Sequence, residues 1–164
     1  MIHDLTGLIH TVAALLAMAT GSVIFLRPKG GARHRQIGYV YTAAMVIMLI
    51  TAFIIYRLTG GFNALHFAAI LSSITLIIGL KFALFRTPTA GWYFYHFLWM
   101  SWSYVGLLAA FVAELSTRVA MPLVVEKFGP ESRAVFWGIV SVASAAVIFA
   151  GGRLIHRHRP PPPA

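Results

Sequence analysis

Five apolar runs, each close to the length that a helix needs to cross a bilayer, fill most of the chain between Leu5 and Ile155. At 1.5 Å of rise per residue, roughly 20 apolar residues span a hydrocarbon core about 30 Å thick. The runs cover about residues 5–26, 38–56, 64–85, 91–114 and 134–155. They predict an all-α integral membrane protein of about five transmembrane helices. Residues 1–155 are expected to form a single helical bundle, with little chain left for a soluble catalytic domain.

Punctuation between the runs supports these bounds. Arg27-Pro28-Lys29-Gly30-Gly31 closes the first, Arg57 and Thr59-Gly60-Gly61 the second, and Arg86-Thr87-Pro88 the third. Connections this short make neighbouring spans antiparallel. Residues 115–133 read as the one long loop, with an apolar stretch at 119–125 lying at the interface. His156-Arg157-His158-Arg159 and the four prolines after them read as a basic extended tail over residues 156–164.

Composition fits that class: 59% hydrophobic residues, 10% charged residues and a mean hydropathy of +0.81 lie well outside the soluble range. The charge is +9, from thirteen Lys and Arg against four acids. Because these cations flank apolar spans, topology and anionic lipid account for them before nucleic acid does, and no nucleic-acid partner is expected. Arg27, Lys29, Arg33, Arg35, Lys81, Arg86, Arg153, Arg157 and Arg159 fall on one side, against Arg57, Arg118, Lys127 and Arg133 on the other. The positive-inside rule then predicts an external N-terminus and a cytoplasmic C-terminus. Met1-Ile2-His3-Asp4 lacks the basic start of a secretory signal, so the first run reads as a helix that stays, with a cleaved signal as the alternative. Without cysteine there are no disulfides, thiolate metal sites, iron–sulfur clusters or covalently attached haem.

Against this apolar background the histidines stand out. His10, His34, His66 and His96 lie inside or at the edge of four successive spans, where an ionisable group costs on the order of 2–3 kcal/mol. Depth arithmetic sorts them into two layers. His10 falls roughly 8 Å and His66 roughly 3 Å below the outer boundary, a shallow position for His66 that water can reach. His96 falls roughly 8 Å above the inner boundary, with His34 in the basic connection just before the second span.

Helical spacing aligns Trp92, His96, Met100, Ser103, Leu107, Ala110 and Glu114 on one face of the fourth span, so that His96 and Met100 can point at the same object. Thr6, His10, Ala13, Ala17, Thr20 and Gly21 make a narrow polar face of small residues on the first, suited to a close neighbour. Trp99 and Trp102 lie deep enough to flank a planar ligand, though lipid-facing packing is the reading favoured for them. On the fifth span, Gly138, Ser141 and Ala145 suggest packing.

Each position also has a plain structural reading. A lone intramembrane histidine can donate to a carbonyl across the bundle, Met100 can be core filling, and Glu114 can pair with Arg118 one turn on. His34 and Arg35 can anchor at headgroups, and His156 and His158 can be tail charge. No glycine-rich nucleotide motif, paired intramembrane acids or nucleophile with a nearby base is present, so neither hydrolysis nor ATP-driven transport has support.

His10 with the small residues up to Gly21, then His34-Arg35-Gln36-Ile37-Gly38-Tyr39-Val40-Tyr41, then His96 with Met100, Ser103 and Tyr104, resembles a bacterial family of predicted membrane proteins known as domain of unknown function 2306. The likeness spans about residues 5–115, and its HR-x-x-G-x-x-Y element is the most specific part. Family members usually carry more basic residues directly after the histidine of the fourth span, where this chain has Phe97-Leu98-Trp99. Membership implies a small multi-helix membrane bundle with no established activity, and marks His10, His34, Arg35, Gly38, Tyr41, His96 and Met100 as motif positions.

Three expectations follow for function. The leading one is a redox protein holding haem b through His10, His96, Met100, His66 and His34, or failing that copper through His10, His96 and Met100, and exchanging electrons with a quinone or another redox partner. The second is a transport module for a proton, metal ion or small solute, in which His10, His96 and Glu114 form a relay; a chain this small would then work as a homo-oligomer. The third is a structural or accessory subunit.

Overall fold

The computed structural model describes residues 5–55 and 60–161, apart from the Arg133 side chain. The described residues form helices and connections without a strand. In order they are α1 (Leu5–Leu26), α2 (Ala32–Ile54), α3 (Ala64–Phe85), α4 (Trp92–Leu115), a π-helical turn (Ser116–Ala120), α5 (Met121–Phe128) and α6 (Ser132–His158). Five helical stretches are long and apolar enough to cross a membrane, the fourth running without interruption from Trp92 to Phe128. The all-α membrane fold is therefore as expected, and α1 and α3 keep the bounds read from hydropathy.

Three boundaries differ. α2 begins at Ala32, which puts His34 and Arg35 in its first turn and not in a connecting loop. That turn is charged, so it leaves no apolar signature. Its start is set by Gly30, at φ +90°, and by Gly31, whose carbonyl accepts from the Arg35 N–H at 3.2 Å. The expected end of the second span, Tyr56 with Arg57 and Thr59, lies outside the described residues.

The expected loop after residue 115 is instead helix. Its charged residues end the apolar window without breaking the backbone. Pro122 has no N–H to give to the carbonyl four residues back. The turn just before it widens, and the Met121 N–H bonds to Ser116 O, five residues back. The continuous helix of 37 residues is roughly 55 Å long, more than a hydrocarbon core requires. At the other end of the chain, α6 runs through His156 and Arg157 to His158, where cations suit the negative end of the helix dipole. Arg159 is extended, at φ −64° and ψ 142°, as the residue before a proline should be.

The chain forms two compact units, residues 1–73 and 74–164, which meet within α3. In the first, α1 packs along α2. α1 buries His10, Ala13, Ala17 and Gly21, four of the six small and polar residues expected to face a close neighbour, and leaves Thr6 and Thr20 half-buried. α2 answers with Tyr41, Ala44, Met45, Met48, Leu49 and Thr51.

In the second unit, α4 packs along α6. Gly138, Ser141 and Ala145, whose small size suggests packing, are all three exposed. α6 turns a different face inward, with Phe136, Val140 and Ile155 buried on it. Gly151 sits against Val105, Gly152 meets the Trp102 ring, and Ser144 Oγ donates to Ala109 O at 3.4 Å. Trp102 is thus engaged with α6. Glycine signals a close approach only on the face that meets a partner, and hydropathy along a uniformly apolar helix does not show which face that is.

Candidate functional site

In the first unit the α1–α2 pairing is fastened at His10, which is 7% exposed. Its Nδ1 lies 2.9 Å from Thr51 Oγ1 and 3.1 Å from Met48 O. The Thr51 hydroxyl directs its own proton to Ile47 O or Met48 O, at 2.9 and 2.8 Å. Both neighbours of Nδ1 are therefore acceptors, so Nδ1 carries the proton. In the neutral ring the lone pair then resides on Nε2.

The second unit repeats the arrangement at His96. Its Nδ1–H donates to Gly79 O at 2.9 Å, tying α4 to α3, and here too the lone pair falls on Nε2. The approach is close because residue 79 has no side chain. A Cβ there would lie 2.7 Å from Met100 Sδ and 3.1 Å from the Met100 backbone nitrogen. His96 and Met100 do point at one object, and it is Gly79. Met100 fills the notch that the glycine leaves. The Trp92 ring stands 6.3 Å from the His96 ring and takes the Arg86 guanidinium on its face at 5.6 Å, while Phe82 and Tyr95 stack at 5.0 Å.

His66 has the opposite tautomer and a different task. Asn63 Oδ1 accepts from the Leu65 N–H at 2.9 Å, and the Asn63 N–H donates back to His66 Nδ1 at 3.3 Å. This is a reciprocal capping box at the start of α3, with histidine in the place usually held by Glu or Gln. Since Nδ1 accepts, Nε2 carries the proton. The ring stacks on Phe62 at 5.0 Å and the residue is 2% exposed. Its expected contact with water is therefore corrected: Phe62 and the folded-back cap bury it.

That geometry makes a prediction. Asn63→Ala or His66→Ala should each cost about 1 kcal/mol of stability, whereas His66→Gln, which keeps an acceptor at the same helical position, should retain most of it. Thermal unfolding of the three variants in detergent checks this order.

The remaining positions are dispersed. His34 is half-buried in the first turn of α2, two turns before the buried Tyr41 on the same face, and Arg35 beside it is exposed. Ser103 is fully buried, and Glu114 pairs with Arg118 beside the π-helical turn. Among the described residues, no three His, Asp or Glu side chains gather in a group able to hold a metal ion.

Residue patterns alone did not reveal Thr51, Asn63 or Gly79. Asn63 had a legible signal, since a capping asparagine followed three residues later by a side-chain acceptor marks a helix start. An isolated glycine inside an apolar helix is a weaker hint of close packing.

An all-helical chain with five apolar spans, fastened by intramembrane histidines, is a multi-pass membrane protein. It belongs to the predicted membrane protein family DUF2306, whose model matches residues 7–149. No curated protein and no solved structure matches the chain significantly.

Proposed function

We propose that this is a redox membrane protein that takes haem b on histidine Nε2 atoms, with His10 as the ligand in the first unit and His96, separately, as the ligand in the second. The observation that carries the reading is the shared anchoring of the two rings. Each gives Nδ1–H to a backbone carbonyl, Met48 O for His10 and Gly79 O for His96. Haem- and metal-ligating histidines are typically held this way, because the bond fixes the tautomer and raises the basicity of the other nitrogen. His66, with its proton on Nε2, serves the fold instead. A haem would supply one-electron chemistry. The chain would supply an imidazole nitrogen in each unit, a bonded carbonyl behind it and an apolar surround that sets the potential.

A quinone is the co-reactant class that a bilayer offers such a centre. The distribution of cations supports a cytoplasmic C-terminus in a bacterial inner membrane. A three-donor copper site has less support, since the described residues hold no such group. The second reading is that His10 and His96 are fasteners only, because the bonds described above already join helix to helix.

Visible spectra of the chain and of His10→Gln and His96→Gln, purified from haem-replete cells, separate the two. Haem ligation predicts a Soret band that weakens or shifts in both variants. A colourless protein, or a band indifferent to both substitutions, leaves the histidines as fasteners.

A further inference from the structure

Between Leu5 and Ala113 the chain carries seven Lys and Arg and no carboxylate. Five spans alternating in direction would bring the α1–α2 connection, the α3–α4 connection and the C-terminus to one side of a membrane. By sequence, that side would hold nine Lys and Arg, Arg27, Lys29, Arg33, Arg35, Lys81, Arg86, Arg153, Arg157 and Arg159, without one acid.

The density is highest at the α1–α2 hairpin. Arg27, Arg33 and Arg35 are exposed there, and Lys29 Nζ caps Phe25 O at 3.3 Å. None of the three arginines meets a carboxylate among the described residues. Their neighbours fix the depth at which they work. Leu26, beside Arg27, is 85% exposed from the protein, and Leu84 and Phe85, beside Arg86, are 70% and 69% exposed. Apolar side chains this bare belong among acyl chains, which holds the adjoining guanidinium groups at headgroup level. A soluble polyanion would have to reach past the lipid surface to meet them.

We propose that this side of the protein binds anionic phospholipid headgroups, with Arg27, Arg33 and Arg35 as phosphate contacts at the α1–α2 hairpin. Guanidinium groups pair with phosphate oxygens through two parallel hydrogen bonds. Each cation near an anionic surface contributes roughly fivefold in affinity.

Native mass spectrometry of the full chain, released from bilayer discs of equal phosphatidylcholine and phosphatidylglycerol, tests this. Phosphatidylglycerol should dominate the retained lipid. Arg27→Gln, Arg33→Gln and Arg35→Gln combined should lower its affinity by about a hundredfold, with Lys127→Gln, on the other side, leaving it unchanged. If the combined variant does not fold, the three single variants should each lose roughly fivefold.

Equal retention of the two lipids, or undiminished phosphatidylglycerol on the combined variant, overturns the proposal. Displacement by inorganic phosphate, but not by chloride at matched ionic strength, overturns it in favour of a free-phosphate site. Capture of an oligonucleotide without any lipid preference overturns it in favour of a nucleic-acid surface.

Discussion

Gly151→Ala is expected to be among the most damaging single-methyl additions in this chain, lowering stability by roughly 1–3 kcal/mol or more. The added Cβ would lie 2.5 and 2.7 Å from the two γ-carbons of Val105 and 3.2 Å from its β-carbon. Neither partner has an easy escape. Val105 is 6% exposed, and a valine in a helix has one strongly preferred rotamer, so it cannot swing aside. α6 and α4 must move apart, giving up the contacts at Gly152 and Ser144 as well. Val105→Ala should rescue a large part of the loss, so that the double variant is more stable than the sum of the two single effects. Gly138→Ala is the matched control, because nothing lies within 4 Å of its added Cβ. It should be neutral or slightly stabilising, as alanine is the better helix former. Thermal unfolding in a single detergent gives all four values. Equal losses for Gly138→Ala and Gly151→Ala would contradict the α4–α6 packing described here.

The second large effect is at Gly79. Alanine there meets Met100 Sδ at 2.7 Å and Cγ at 3.0 Å, both on a flexible side chain, but also the Met100 backbone nitrogen at 3.1 Å. Sulfur can move cheaply and backbone cannot, so α3 and α4 separate by a few tenths of an ångström. Gly79→Ala should cost about 1–3 kcal/mol, and Gly79→Val more. The separation also stretches the 2.9 Å bond from His96 to Gly79 O, so this substitution reaches a histidine it does not touch. Met100→Ala combined with Gly79→Ala should recover the part due to sulfur and leave the part due to backbone. Unfolding measurements on the two single variants and the pair divide these contributions. Complete rescue by Met100→Ala would show that the backbone approach carries none of the cost.

Where one face of a helix differed clearly from the rest, the residue pattern was readable. α1 shows this, since His10, Ala13, Ala17 and Gly21 are small or polar among large aliphatic residues and are the four it buries. α6 shows the opposite. Glycine, alanine and serine occur on several of its faces, and its packing against Val105 and Trp102 depends on α4, so Gly138 looked as suitable as Gly151. Charge misled at two boundaries, because the first turn of α2 and the stretch after Leu115 are helical without being apolar. Among the candidate site residues, the meeting of His96 with Met100 was foreseeable from their spacing of four. The atom they meet, Gly79 O, was not, since it is backbone on another helix. Tautomers were beyond reach for the same reason. The proton position on His10 and His96 is set by Met48 and Gly79 on other helices, which nothing in either histidine's own neighbourhood along the chain specifies, whereas the partner of His66, Asn63, lies three residues before it.

The proposed haem ligation through Nε2 of His10 and, separately, of His96 is tested most directly by the visible absorption spectrum of the full chain purified from haem-replete cells. Such ligation predicts a Soret band that sharpens and shifts on reduction with dithionite, in a haem stoichiometry that falls in His10→Gln and His96→Gln while both variants stay folded. Protein that is colourless, and remains so after haemin is added, would contradict it.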